Sequence, residues 1–102
     1  MKSAALGYLA HAQRLQGELE ARERGETLTD LKRLVEQLWL AEKGVEIICS
    51  DALRDRLIGH ARGLHRVVRV GVTHPDWRDH CANLQEALLA QIKVELHPNH
   101  DF

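Results

Sequence analysis

Histidine is the residue of this chain best suited to chemistry, because imidazole binds metal ions and exchanges protons near neutral pH. Seven histidines occur in 102 residues. Metal centres inside helical bundles combine carboxylates with histidines, typically as Glu-x-x-His pairs on facing helices. No glutamate in a predicted helix has a histidine three residues later. His60 and His65 lie about 140° apart around a helix, so they cannot share a metal ion. We therefore predict no metal centre and no cofactor in the body of the protein.

One cluster of metal-binding side chains remains, at the carboxyl end of the chain. It comprises His97, His100 and Asp101. Pro98 stops the last predicted helix, so the cluster lies in a tail rather than between helices. We interpret it as surface affinity for metal ions and not as a built metal site.

Three other histidines, His11, His60 and His80, fall on or beside the apolar stripes of predicted helices. We predict that each is a hydrogen-bonded core residue rather than a ligand. If two of them met in the core, acidic pH would weaken folding, because neutral buried imidazoles would take up protons.

Residues 53–60 read LRDRLIGH and place arginine and histidine on one predicted helix. A guanidinium group can bind a phosphate through two parallel hydrogen bonds, and an imidazole can transfer protons near neutral pH. The string resembles the active-site motif of the HEPN superfamily, small all-α ribonucleases that include toxins paired with nucleotidyltransferase antitoxins. The resemblance implies a metal-independent RNA-cleaving site formed by two copies of the chain. In that site Arg54 would steady the phosphate, Asp55 would be the polar residue after it, and His60 would shuttle a proton.

The length of the chain leaves room for one hydrophobic core, so we predict a single domain over residues 1–102. Apolar residues make up 44% and charged residues 28%, and the net charge of −1 gives no reason to expect a polyanionic partner for the whole molecule. Only 4% of the residues are aromatic. The core volume must come from aliphatic side chains, which favours helix packing and an all-α fold.

Apolar residues recur at three- and four-residue spacing in four segments, which is typical of helices with one buried stripe. Gly25 can end the first segment and Thr27 can cap the second. Ser50 and Asp51 separate the second from the third, with one long helix as the alternative. The predicted helices span about 4–24, 28–49, 51–69 and 75–96. Short connections make neighbours antiparallel, so we predict an up-down-up-down antiparallel four-helix bundle.

The second predicted helix has more apolar surface than one buried stripe requires. Trp39, Leu40 and Ile47 lie outside the stripe, and exposed apolar surface marks protein–protein contacts. We therefore predict an interface at these residues and a homo-oligomer, as a dimer, or a complex with a protein partner. Non-enzymatic association is our first functional hypothesis, and a HEPN-like ribonuclease or RNA-binding protein is the alternative.

The third predicted helix carries Gly59 and Gly63 one turn apart. Each glycine costs about 1 kcal/mol of helix propensity relative to alanine, so something should compensate. We predict the close approach of a neighbouring helix. Room for a metal or small ligand within the bundle is the alternative, and it is the third functional hypothesis.

The two cysteines, Cys49 and Cys81, are far apart and lack Cys-x-x-Cys spacing. We predict that they are buried small apolar residues rather than a disulfide. No apolar amino-terminal run resembles a signal peptide or a membrane span. These features predict a cytoplasmic protein with no membrane partner.

Overall fold

The computed structural model of the protein describes residues 2–27, 29–72 and 75–96. Its helices are α1 Lys2–Glu23, α2 Leu31–Glu46, α3 Asp51–Val70 and α4 Trp77–Leu96. None of the described residues forms a β-strand, so the predicted all-α fold is confirmed. Within the same residues, no helix is both long enough and apolar enough to span a membrane.

A glycine turn ends α1 close to the predicted position. Gly25 has a φ of 82°, in the left-handed region that side chains with a β-carbon rarely adopt. The amide of Glu26 donates to the carbonyl of Ala21 at 2.8 Å, and the amide of Gly25 donates to the carbonyl of Arg22 at 3.0 Å. These two bonds form the Schellman motif, which satisfies carbonyls that the helix leaves unpaired.

The start of α2 lies three residues beyond the predicted position 28. Its cap is Asp30, whose side chain accepts a hydrogen bond from the amide of Lys32 at 3.1 Å. The prediction that Thr27 caps this helix is wrong. The reason lies in α1, where the buried carboxylate of Glu18 accepts a hydrogen bond from the amide of Thr29 at 2.8 Å. That bond holds Thr29 outside the helix.

The end of α2 comes earlier than predicted, at Glu46 rather than near residue 49. The amide of Ile47 still donates to the carbonyl of Lys43, but the amide of Ile48 donates to the carbonyl of Val45, which tightens the chain into a turn. The three- and four-residue apolar spacing of the second predicted helix continues to Ile48, which predicts that this side chain is buried. That prediction is wrong, because the helix has already ended and Ile48 is 51% exposed.

The break between α2 and α3 is confirmed. Ser50 is the cap of α3, and its hydroxyl oxygen accepts a hydrogen bond from the amide of Leu53 at 3.1 Å. The alternative of one long helix is therefore wrong. At the other end, α3 stops at Gly71, which has a φ of 91°. α4 begins at Trp77, two residues after the predicted position 75.

The core is aliphatic, as the low aromatic content predicts. α1 packs mainly on α2, and α3 packs mainly on α4, while smaller contacts join α3 to α1 and to α2. Fully burying a leucine contributes about 1.5–3 kcal/mol relative to leaving it exposed. The leucines with no exposed surface are Leu15, Leu38, Leu53, Leu57, Leu64 and Leu88.

The two glycines of α3 have different surroundings. A β-carbon on Gly63 would lie 2.5 Å from Cδ1 of Leu84, whereas a β-carbon on Gly59 would meet nothing within 4 Å. The missing side chain of Gly63 therefore lets α4 pack closely on α3. The predicted close approach is confirmed at Gly63 and wrong at Gly59.

Both cysteines are free thiols. Cys81 is buried in the core and Cys49 is partly buried at its edge. Burial raises the pKa of both thiols, which disfavours the reactive thiolate. The prediction of a buried, apolar-like cysteine is confirmed for Cys81 and holds only partly for Cys49.

Candidate functional site

The solvent side of α2 carries large apolar side chains. Trp39 is 50% exposed, Leu40 is 64% exposed and Ile47 is 81% exposed. Two charged residues, Glu36 and Lys43, lie on the same side of the helix, because they are three or four residues from these apolar positions. We call these five residues the α2 face.

The opposite side of α2 explains why the α2 face points outward. Leu34, Leu38 and Val45 are buried in the core, and their spacing of four and seven residues places them on one stripe of the helix. Once that stripe faces the core, Leu40 and Ile47, each two residues beyond a stripe position, face solvent, and Trp39 lies about 100° around the helix from Leu38. The three interface residues predicted from the sequence are therefore exposed, and their contact with a partner stays a prediction.

Lys43 restrains the aromatic side chain at the centre of the α2 face. Its ammonium group lies 5.5 Å from the centroid of the Trp39 ring, in range of a cation–π interaction. The same ammonium donates to the Glu46 carboxylate at 2.9 Å, and that hydrogen bond raises the pKa of Lys43. The exposed indole is thus held in place by a neighbour, which lowers the entropy that a partner must remove.

An open groove lies beside Trp39, between α2 and α3. It has a volume of about 400 Å³ and is lined by Val35, Glu36, Trp39, Leu40 and His65. Partial burial lowers the pKa of His65, so its imidazole is neutral at physiological pH. The aliphatic and aromatic walls of this groove can accept an apolar side chain from another protein, with Glu36 as the charged residue of its lining.

His60, the predicted proton-transfer residue, lies in the core. Its Nδ1 and the Tyr8 hydroxyl form a hydrogen bond of 2.7 Å, and neither side chain has exposed surface. The two rings meet edge to face, with centroids 5.7 Å apart. Nε2 of His60 has no hydrogen-bond partner. Burial lowers the pKa of His60 to about 4.

Ionisable residues from the other two helices lie near this hydrogen bond. Burial raises the pKa of Tyr8, and the charges of Glu42 on α2 and Cys81 on α4 raise it further. Glu42 is itself buried, and burial raises the pKa of its carboxyl. The core therefore gathers one ionisable side chain from each helix, and each is shifted toward its neutral form.

Arg54 and Asp55, the other predicted catalytic residues, lie away from the His60 imidazole. The Arg54 guanidinium donates to the Asp51 carboxylate at 3.0 Å and to the Glu46 carbonyl at 3.1 Å, so it braces the turn between α2 and α3. Asp55 is exposed. The structure does not bring the arginine and the histidine into one accessible site, and the ribonuclease hypothesis stays a prediction.

The other two histidines predicted in the core, His11 and His80, are less buried than His60. His80 is exposed, so the prediction that it lies in the core is wrong, and His11 is half-buried with an unpaired Nδ1. Among the described residues, no group of three or more His, Cys, Asp or Glu side chains could hold a metal ion. The predicted tail cluster of His97, His100 and Asp101 lies outside the described residues.

A second cavity, of about 300 Å³, lies where the end of α3 meets the start of α4. Its lining includes Gly63, Val67 and Trp77, with Arg66 and His80 as its basic residues. The Leu84 side chain packs closely on Gly63 and fills, on one side, the space that the missing side chain of the glycine leaves. The hypothesis of a small-ligand site near Gly63 stays a prediction.

Comparison with known proteins gives no independent information on function. No protein-family model, no curated protein and no solved structure matches this chain. The functional conclusion therefore rests on the geometry of the described residues.

Proposed function

We propose that this protein works by binding another protein through the α2 face. The observation that carries the proposal is the half-exposed indole of Trp39, flanked by the still more exposed Leu40 and Ile47. Tryptophan is enriched among the residues that dominate binding energy at protein interfaces. Exposed apolar side chains that lie on one helix face provide the centre of such an interface.

We further propose that the scaffold behind the α2 face is an up-down-up-down antiparallel bundle. Two contacts between distant helix ends support this topology. The indole of Trp77, at the start of α4, donates to the carboxylate of Glu23, at the end of α1, at 2.7 Å. A hydrogen bond with Ser50, at the start of α3, lowers the pKa of Glu95, near the end of α4.

The compartment we propose for this association is the cytoplasm. Its support is the pair of free thiols, Cys49 and Cys81. Unpaired cysteines persist in a reducing compartment, whereas secreted small domains tend to use theirs in disulfides.

Site-specific photo-crosslinking in expressing cells tests the proposal. A benzophenone amino acid in place of Leu40 is expected to give a discrete light-dependent adduct, because the side chain would lie against the partner. The adduct is expected to disappear when Trp39→Ala is added, since truncation removes the centre of the interface.

The matched control carries the same amino acid in place of Val94 on α4, which is 61% exposed. No adduct is expected there. Equal labelling at the two positions, or no adduct at position 40, would show that the α2 face is not a binding surface.

A further inference from the structure

The charges of the α2 face are arranged symmetrically about its apolar centre. Glu36 lies three residues before Trp39, and Lys43 lies three residues after Leu40. At 1.5 Å per residue, each charge is about 5 Å along the axis from the midpoint between Trp39 and Leu40. The two charged residues are seven positions apart, which is about two turns, so they lie almost in line along the helix. The Glu36 carboxylate thus lies toward the amino end of the face, and the Lys43 ammonium, which also pairs with Glu46, lies toward the carboxyl end.

A twofold axis through this midpoint makes the face complementary to itself. Such an axis reverses the direction of the helix, so Glu36 of one copy lies opposite the partner's Lys43, and Lys43 lies opposite the partner's Glu36. Two pairs of opposite charge then flank the apolar contact. A parallel arrangement would place Glu36 against the partner's Glu36 and Lys43 against the partner's Lys43, and like charges disfavour it.

The same symmetry brings together two further exposed residues, Lys32 on α2 and Ile47 at its C-cap. Ile47 comes opposite the partner's Lys32, whose aliphatic stem can cover an apolar side chain while its ammonium stays in water. Trp39 lies on the α3 side of the face, where the groove of about 400 Å³ lined by His65 leaves space. The partner's Trp39 comes to that side as well, because the twofold axis keeps both indoles on it.

We propose that the occupant of the α2 face is a second copy of this chain, bound by an antiparallel α2–α2 contact about a twofold axis between Trp39 and Leu40. This inference rests on the proposed function, since it names the partner of the same surface. Other exposed apolar side chains, such as Leu6, Val70 and Val94, lie on other helices and lack this paired charge pattern.

The size of the contact sets the expected affinity. α2 has 16 residues and is therefore about 24 Å long at 1.5 Å per residue. One helix pair of this length buries less than the roughly 800 Å² per partner of a standard interface. We therefore expect a reversible dimer with a Kd in the micromolar range, in which the two charge pairs select the orientation.

Charge reversal tests the inference. Glu36→Lys places lysine opposite the partner's Lys43 twice, and Lys43→Glu places glutamate opposite the partner's Glu36 twice. Each variant alone is expected to dimerise roughly tenfold more weakly than the wild type. An equimolar mixture of the two variants is expected to dimerise more strongly than either variant alone, although Lys43→Glu also removes the contact between Lys43 and Trp39. In the mixed dimer, the Glu36→Lys chain carries lysine at positions 36 and 43, and the Lys43→Glu chain carries glutamate at both positions. Position 36 of either chain therefore lies opposite a residue of opposite charge at position 43 of the other chain.

Analytical ultracentrifugation of the purified full chains measures these affinities, and circular dichroism checks that each variant keeps its helix content. The matched control is Glu86→Lys, which makes the same charge change at an exposed position of α4. This variant is expected to dimerise like the wild type.

Three results would overturn the inference, and they separate it from the proposed function. If the wild type stays monomeric at several hundred micromolar, a second copy is not the occupant; adducts between position 40 and a different protein would still support the proposed function. If Trp39→Ala abolishes the dimer but charge reversal has no effect, the face is right and the twofold arrangement is wrong. If the mixture dimerises no better than either variant alone, Glu36 and Lys43 do not pair across the dimer.

Discussion

At the scale of single residues, the hydrogen bond between Tyr8 and His60 is the most specific contact in the core. It joins α1 to α3 at 2.7 Å and has no access to water. A buried polar pair has good geometry at only one packing register, so the bond selects how these helices meet. Nε2 of His60 has no hydrogen-bond partner, and a buried unpaired polar atom lowers the free energy of unfolding by about 1–3 kcal/mol.

His60 is expected to make stability depend on pH. Its pKa is about 4 in the folded protein, against 6.5 for an ordinary histidine, so the unfolded chain binds a proton first as the pH falls. Above pH 6.5 neutral His60 makes its full contribution to the free energy of unfolding. This contribution falls by about 3 kcal/mol between pH 6.5 and 4 and does not change further below pH 4. Urea denaturation across this range measures it.

Comparison with variants isolates the histidine from the carboxylates that titrate in the same range. His60→Leu is expected to remove this part of the pH dependence, whereas His80→Gln, at an exposed position, is expected to leave it unchanged. If the free energy of unfolding changes with pH in the same way for the wild type and for His60→Leu, the assignment of this pH dependence to His60 is contradicted.

Sequence reasoning predicted part of this arrangement. The position of His60 on an apolar stripe predicted burial and a hydrogen bond, and both are confirmed. Its partner could not be predicted, because Tyr8 is 52 residues away and periodicity tells which side of a helix is buried but not what lies opposite. The apolar stripe was a better guide than the motif LRDRLIGH, since the stripe predicted burial of His60 and the motif predicted an accessible proton-transfer residue.

At the scale of elements, the two glycines of α3 form a natural matched pair. Gly59→Ala is expected to raise the free energy of unfolding by about 0.5–1 kcal/mol, because alanine favours the helix and the new methyl group meets nothing within 4 Å. Gly63→Ala gains the same propensity, but its methyl group would lie 2.5 Å from the Leu84 side chain. We expect it to be less stable than Gly59→Ala by up to about 1 kcal/mol, because the Leu84 side chain must shift to admit the methyl group.

Thermal and urea unfolding of the two variants measure this difference. Adding Leu84→Ala to Gly63→Ala gives the second test, because the smaller side chain removes the overlap. The penalty of Gly63→Ala is expected to shrink in that background. Equal stabilities for the two single variants would show that α4 moves away without cost.

The bounds of α2 show why some of the fold could not be predicted from the sequence. Thr27 and Asp30 are both good caps, with aspartate the more favoured residue type, but this small difference does not by itself fix the start of the helix. The choice depends on Glu18, whose buried carboxylate binds the Thr29 amide from another helix. The breaks at Gly25 and Ser50 were predictable, because left-handed glycine and a serine cap act through local backbone geometry.

At the scale of the whole molecule, self-association should be linked to stability. A dimer that forms only from folded chains stabilises the folded state more as the protein concentration rises. Above the Kd we expect the Tm to rise by roughly 3 °C for each tenfold increase in concentration. Trp39→Ala is expected to abolish this dependence, and scanning calorimetry at several concentrations measures it.

The matched control for this experiment is Val94→Ala, which removes exposed apolar surface from α4 and leaves the α2 face intact. Its Tm should keep the concentration dependence of the wild type. A wild-type Tm that does not change with concentration would count against any dimer of folded chains.

The contrast between the two tryptophans gives the protein a pair of intrinsic optical probes. Trp39 is half-exposed at the centre of the α2 face, whereas Trp77 is 3% exposed and hydrogen-bonded to Glu23. Fluorescence quenching by iodide should therefore resolve two populations of indole. The accessible one reports on events at the surface, and the protected one reports on the contact between the end of α1 and the start of α4, without any attached dye.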